Sequence, residues 1–322
     1  MKRTTGETTQ LLFFICYLVR RVGRSISPCA LLPPPKWNID VIRVPNDGRN
    51  WIMQRLSSSM DIERIWVGNS GRNFNYLVAC SETGDALVVD PLDSEAVLAA
   101  AGRNGWRITQ IVNTHEHGDH TAGNAAVVAA TGARVLAHSE NLGRIPGVDV
   151  GLKDRDEVTV GKSVRFRVLD TPGHTLAHVC LFSGGDMPVL FCGDTMFNAG
   201  AGNCHMGGQP LQLFKTFSDI LVALPAATRI YPGHEYLSRN LAFTMDREPS
   251  NAYAAMLFEE AKSRDPARAP IMTIAQESRI NTFFRLQETE IVDGLSKSVP
   301  GFPESPVPSD VFLALRKLRD SW

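Results

Sequence analysis

Thr114-His115-Glu116-His117-Gly118-Asp119-His120 is the stretch on which the reading of this 322-residue chain turns. Three histidines and an aspartate within so few residues cannot be packed core, because each imidazole needs polar partners. The residues before them, Ile108-Thr109-Gln110-Ile111-Val112-Asn113-Thr114, read as a buried strand. Such a strand delivers the histidines to the loop that follows it. Neutral imidazole and carboxylate are the preferred ligands of zinc, and also of iron and manganese. Alternation points His115 and His117 the same way, so they can chelate one ion. Asp119 and His120 project differently and can hold a second. No cysteine thiolates accompany the motif, which excludes a zinc finger.

Working outward, the remaining ligands should also follow strands. Thr171-Pro172-Gly173-His174-Thr175 comes after SVRFRVLD, Phe191-Cys192-Gly193-Asp194-Thr195 after MPVLF, and Tyr231-Pro232-Gly233-His234-Glu235 after TRI. Each has a glycine directly before the ligand, which lets the backbone turn sharply and approach a metal. One such tripeptide alone is an ordinary turn. Four stations in order, each at a strand end, are a specific signal. Five histidines and two aspartates suffice for two ions that share a bridging carboxylate.

The surroundings fit a layered domain. From Met60, strand-like segments (IERIWV, NYLVAC, ALVVDP, ARVLAH) interleave with helical ones. Ser94 is the expected cap of the helix EAVLAAAGRNG, DEVTV and SVRFRVLD a hairpin around Gly161-Lys162, and PLQLFKTFSDILVALP an amphipathic helix. After about Glu235 the texture turns helical. The expectation is an α/β domain over 60–235 and a helical, substrate-binding domain over 236–322, preceded by a basic extension over 1–59.

Composition supports a globular protein, with 43% hydrophobic and 21% charged residues. Lys plus Arg (33) against Asp plus Glu (34) leaves a net charge of −1 and no general basic field for a nucleic acid. The basic excess sits in the extension, at Lys2, Arg3, Arg20, Arg21, Arg24 and Lys36. Its apolar run Leu11 to Val19 is shorter than the roughly 20 residues a membrane-spanning helix needs. An Arg-rich, acid-poor leader suits a mitochondrial presequence; a secretory signal and an unstructured extension of a cytoplasmic protein are the alternatives. The six cysteines form no CxxC pair and read as free buried thiols.

Together THEHGDH, GHT, GDT and GHEY resemble the metallo-β-lactamase superfamily, and within it the glyoxalase II (hydroxyacylglutathione hydrolase) family, from about Met60 to Trp322. The resemblance implies an αββα sandwich followed by a small C-terminal helical domain. It implies that His115, His117 and His174 hold one metal, that Asp119, His120 and His234 hold another, and that Asp194 bridges them. Two divalent ions, zinc first and iron or manganese otherwise, would carry a bridging hydroxide that attacks a thioester carbonyl, with Asp119 and Asp194 in the catalytic apparatus. The substrate implied is S-D-lactoylglutathione, giving D-lactate and glutathione, and the protein is expected to be a monomer. Tyr236 matches a tyrosine that contacts the glutathione portion. Arg316 and Arg319 resemble a basic pair that grips its glycine carboxylate, and on a helix they share a face. One departure stands out: Asn203 and His205 occupy the places of a lysine and an aromatic residue, which opens the thiol to trypanothione or another carrier. The competing readings are a persulfide dioxygenase with a single iron, faintly suggested by GGQPLQLF, a catalytically dead scaffold, and a nuclease of the same superfamily.

Overall fold

Alternating strands build two facing sheets whose inward side chains meet. The computed structural model describes residues 59–322, together with the backbone of Val41–Ile42 and Trp51–Arg55. The expectations for Leu11 to Val19, Cys16, Cys29 and the leader's address lie outside the described residues.

The first sheet runs in chain order: β1 (Val41–Ile42), β2 (Trp51–Arg55), β3 (Met60–Trp66), β4 (Phe74–Cys80), β5 (Asp85–Val89), β6 (Arg107–Val112), β7 (Arg134–His138) and β8 (Val148–Leu152). Pairing is antiparallel up to β5 and parallel from β5 to β8. The second sheet holds β9 (Glu157–Val160), β10 (Val164–Asp170), β11 (Val179–Ser183) and β12 (Val189–Gly193). A two-stranded ribbon follows, β13 (Met196–Phe197) with β14 (Gly200–Ala201), before β15 (Arg229–Pro232) joins the second sheet beside β12. Its order is β15-β12-β11-β10-β9.

Period-two alternation assigns the layers. Phe74, Tyr76 and Val78 of β4 point between the sheets, where they meet Phe166, Leu181, Phe191 and Tyr231. Leu77, between them in sequence, points outward to Val97, Ala100 and Val127 of the helices Ser94–Asn104 and Asn124–Thr131. In β12, Phe191 faces the inter-sheet core while Leu190 and Cys192 face outward to Leu213, Phe217, Phe283 and Phe312. The result is the expected αββα sandwich. The helices Leu237–Arg247, Ala252–Lys262, Ile274–Ile280, Thr289–Ser298 and Pro308–Ser321 follow the last strand. Phe283, Phe312 and Leu315 fasten this helical segment to the outer face of the second sheet. Among the described residues no helix is long and apolar enough to cross a membrane.

Several local expectations are corrected. The sheet begins upstream of Met60, because β2 pairs with β3 from Trp51↔Ile65 to Arg55↔Asp61. That pairing is made by backbone groups and leaves no clear apolar pattern in WIMQR, so the expected boundary after residue 59 cuts a sheet. Asp93 rather than Ser94 caps the first helix, accepting from the Ala96 N–H at 2.9 Å. The helix expected from Pro210 changes pitch: it is α over Pro210–Lys215 and π over Thr216–Leu221. Its Thr216 hydroxyl donates to the Pro172 carbonyl at 2.7 Å, bracing the turn that carries His174. The strand β8 had no counterpart in the sequence reading. Cys80, Cys180, Cys192 and Cys204 are free, and the first three are buried as expected.

Candidate metal centre

All four sequence stations converge at one end of the sandwich. The turn after β6 carries His115, His117, Asp119 and His120; the turns after β10, β12 and β15 carry His174, Asp194 and His234. His117 Nδ1 lies 3.0 Å from both His115 Nε2 and His174 Nε2. His120 Nε2 and His234 Nε2 are 3.2 Å apart, with Asp119 Oδ2 at 3.7 and 3.5 Å from them. Between the two groups stands Asp194, with Oδ1 3.4 Å from His120 Nε2 and Oδ2 3.1 Å from His234 Nε2 and 3.6 Å from His174 Nε2.

These separations fit metal ions. Two nitrogens held at zinc-ligand distance in a tetrahedron lie about 3.3 Å apart. Each imidazole turns its other nitrogen to a fixed partner. His174 Nδ1 donates to the Asn203 carbonyl at 2.7 Å and His234 Nδ1 to the Gly71 carbonyl at 2.6 Å. His117 Nε2 donates to the Met206 carbonyl and His120 Nδ1 to Asp90 Oδ2, both at 3.0 Å. His115 Nδ1 meets the Thr114 hydroxyl at 3.0 Å, which itself donates to Asp90 at 2.7 Å. The nitrogens facing the cluster are thereby left without a proton, as metal ligands require. Asp194 Oδ1 is buried with no hydrogen-bond partner, an acceptor that calls for a cation. The glycines before the ligands are needed for approach: a Cβ on Gly233 would stand 2.3 Å from Asp194 Oδ1, and one on Gly193 would stand 2.5 Å from Thr114 Oγ1.

Electrostatics agree. Burial alone would raise the Asp194 carboxyl, but His234 and His120 hold it well below the ordinary value. Burial pushes His115 well down, and His120 adds to the shift, so His115 is neutral. For His120 burial works downward, but Asp194 and Asp90 overcome it and hold the ring well above its usual value. A cation bound at Nε2 takes the place of that proton.

A groove of 910 Å³ adjoins the cluster, lined by Phe197, Asn203, His205, Tyr236, Arg316 and Arg319 among others. The five substrate residues expected from sequence are thus brought to one place, yet they are not equivalent there. Tyr236 stacks on His234 with ring centroids 5.1 Å apart and donates its hydroxyl to the Gly71 carbonyl at 3.0 Å. Asn203 acts through its backbone carbonyl on His174, while its side chain accepts from the His205 N–H. His205 is exposed and 3.2 Å from Asp320. Arg319 donates to Asn240 Oδ1 at 3.1 Å. Arg316 is 3% exposed and turned inward to backbone carbonyls and Asp320.

Sequence reasoning missed Asp90, Gly71 and Arg239. Asp90 gathers Thr114 and His120 behind the ligands. Its signal was present, since ALVVDP ends a strand on an acid as GDT does. The carbonyl of Gly71 carries no sequence signal at all. His178 packs beside His115 and accepts from the Asp194 N–H at 3.3 Å.

The fold and the seven-donor cluster define a metallo-β-lactamase-type protein. Residues 70–234 match the family model described as metallo-beta-lactamase superfamily, and residues 235–322 match hydroxyacylglutathione hydrolase C-terminus. A hydroxyacylglutathione hydrolase of Nitrosococcus oceani is 56% identical over 263 residues, 82% of this chain and 100% of that protein. Another, from a Polaromonas species, is 52% identical over the same lengths. The chain belongs to the hydroxyacylglutathione hydrolase family of that superfamily. Among solved structures, ETHE1 from Myxococcus xanthus is 24% identical with a TM-score of 0.55, over 81% of this chain and 98% of that one. That likeness shows the shared fold.

Proposed function

We propose that the protein hydrolyses S-(2-hydroxyacyl)glutathione thioesters, S-D-lactoylglutathione to D-lactate and glutathione in the first instance. The observation that carries this is the dinuclear donor cluster opening into a cationic groove built by the helical segment, with the family membership above behind it. His115, His117 and His174 would hold one divalent ion, Asp119, His120 and His234 the second, with Asp194 between them; zinc suits the nitrogen-rich set, and iron or manganese would also fit. Such ions, when bound, supply a hydroxide at neutral pH and polarise the thioester carbonyl.

The chain's own residues do the rest. Asp119 Oδ2 accepts from Asn73 Nδ2 at 3.1 Å, which fixes its carboxylate beside His120 and His234. Phe197 and Tyr236, both packed on His234, join the metal cluster to the groove and give the acyl end an apolar wall. Six basic residues line the groove (Arg72, Arg239, Lys262, Arg264, Arg316, Arg319) against two acids, Glu235 and Asp320. That balance favours glutathione, with two free carboxylates, over a thiol whose glycine carboxylate is capped by a polyamine. Arg316, Arg319 and Arg239 are the cations placed to receive the glycine carboxylate. The thiol leaves as a thiolate, so no strong general acid is required. A single-iron dioxygenase would leave the Asp119, His120 and His234 group without a role.

The test is a panel of glutathione and trypanothione esters run on the full chain, with metal analysis of the same sample. Hydrolysis of the glutathione ester with two ions per chain is expected. No thioester hydrolysis by the metal-loaded protein would end this reading; one iron with oxygen uptake on glutathione persulfide would replace it with dioxygenation.

A further inference from the structure

Two of the three side chains in the second donor group are held by one turn, residues 69–73. Asn73 Nδ2 donates to the Asp119 carbonyl and to Asp119 Oδ2, both at 3.1 Å. The Gly71 carbonyl accepts from His234 Nδ1 at 2.6 Å and from the Tyr236 hydroxyl at 3.0 Å. One oxygen thus serves a candidate ligand and the aromatic ring stacked on it. His115, His117 and His174 take their outer partners elsewhere, from Thr114, Met206 and Asn203.

A carbonyl orients a ring only if its own peptide is fixed. The Arg72 N–H closes the turn on the Asn69 carbonyl at 3.0 Å. The Asn73 N–H donates to Asn69 Oδ1 at 3.0 Å, and Asn69 Nδ2 donates back to Asn73 Oδ1 at 2.8 Å. The turn is then laced to the segment after β15. An antiparallel bridge pairs Asn73 with His234. The Phe74 N–H donates to the Gly233 carbonyl at 2.8 Å and the Glu235 N–H to the Arg72 carbonyl at 3.0 Å. Across the same gap the Arg72 side chain adds a clasp. Its Nε donates to the Glu235 carbonyl at 2.7 Å, and its Nη2 donates to Glu235 Oε2. Glu235 is buried, and its Oε1 accepts from the Leu237 N–H at 3.2 Å, where the helix Leu237–Arg247 begins. His234 and Tyr236 stand on either side of the residue that the clasp grips.

Arg72 keeps φ at 60°, a left-handed conformation in which glycine or asparagine would be less strained. What neither of those can supply is the fork, which engages the backbone and the side chain of one residue together. Trp66 packs against the guanidinium, 5.4 Å from ring centroid to Cζ. We propose that Arg72 is a positioning residue for the second metal ion. Its clasp on Glu235 sets the Gly71 carbonyl, which holds the His234 proton on Nδ1 and so leaves Nε2 to the metal. This rests on the two-ion reading of the cluster.

The test uses the full chain and zinc as the probe, titrated in competition with a chelating dye. Arg72→Gly removes the clasp and relaxes the turn, since glycine holds a positive φ without strain. It should weaken one zinc by about tenfold, the lower end of the loss when a ligand's outer partner is disturbed, and leave the other within about twofold of the parent. Nitrogen-15 spectra of the histidine rings identify the site. The His234 Nδ1 proton should exchange faster, while those on His117 Nε2 and His174 Nδ1 stay as in the parent. Arg72→Lys keeps the charge but not the fork, so it should fall close to Arg72→Gly. Both zinc affinities unchanged in Arg72→Gly, both weakened alike, or full recovery in Arg72→Lys would each overturn the assignment. If Arg72→Gly does not fold, Arg72→Asn, which also tolerates the left-handed region, is read in the same way. Should the chain cleave no thioester, the proposed activity fails, while the titration and the ring spectra still decide the role of Arg72. A parent chain that binds fewer than two zinc ions refutes the two-ion reading and this assignment with it.

Discussion

Asp90→Asn is the most searching single perturbation of the cluster, because it changes one charge and almost no volume. Asp90 is 2% exposed. Its Oδ1 accepts from the Thr114 N–H at 2.8 Å; its Oδ2 accepts from the Thr114 hydroxyl at 2.7 Å and His120 Nδ1 at 3.0 Å. An asparagine cannot satisfy all three. With its amide nitrogen toward His120, the ring must accept at Nδ1 and carry its proton on Nε2, the atom that faces the metal. With the amide turned over, two N–H donors confront each other at Thr114. Either mismatch in a buried site costs about 1–3 kcal/mol. Loss of a ligand's carboxylate support typically weakens metal binding by about tenfold to a hundredfold, or about 1.4–2.7 kcal/mol, so the two routes agree. The assay is chelator competition on purified protein, with circular dichroism melting as the control for folding. The expected result is one weakened site, one near normal, and kcat lowered in step with occupancy. Two ions bound with parental affinity would refute the argument that Asp90 sets the His120 tautomer.

Further outcomes follow from the same geometry. Asp194→Asn should abolish thioester hydrolysis and reduce bound metal, since Asp194 stands between both donor groups; elemental analysis and an activity assay on one preparation check this. Stripping the metals with a chelator should lower the thermal midpoint by several degrees, because ions that bind only the folded chain stabilise it by mass action, and readdition of zinc should restore it. Glu277 gives a pH signature. Burial pushes its carboxyl up to about 8, against the hydrogen bonds from Asn281 and Ala199. Its folded value lies above its unfolded one, so its contribution is full below about pH 4.5 and fades as pH rises toward 8, by up to about 1.4 kcal/mol per unit for one proton. Glu277→Gln should therefore flatten the decline in stability between pH 5 and 8, measured by denaturant unfolding; an unchanged slope would refute the shift.

The seven candidate ligands were legible because metal chemistry leaves its mark in residue type. Imidazoles and carboxylates gathered at strand ends, four of them directly after a glycine, have no competing explanation in a buried setting. The sandwich was legible for a similar reason, since alternation in FNYLVAC or VLFCG already sorts side chains between two faces. Reading failed where the working atom belongs to the backbone. The carbonyls of Gly71, Asn203 and Met206 orient His234, His174 and His117, and any residue could supply a carbonyl. It failed also at β2, where backbone pairing without an apolar pattern extends the sheet before Met60.

The arginines mark the line between the two kinds of knowledge. Sequence alone determined that this chain carries a two-ion donor set on an α/β sandwich, and that its last helix sets Arg316 and Arg319 on one face. Only the tertiary structure decided what each touches: Arg316 donates to the carbonyls of Ala201 and Gly202, more than a hundred residues away, while Arg319 donates to Asn240, and both line the groove. Helical spacing fixes which side chains are neighbours, but the partner across the gap is set by how distant segments pack, and that packing is written in no local pattern.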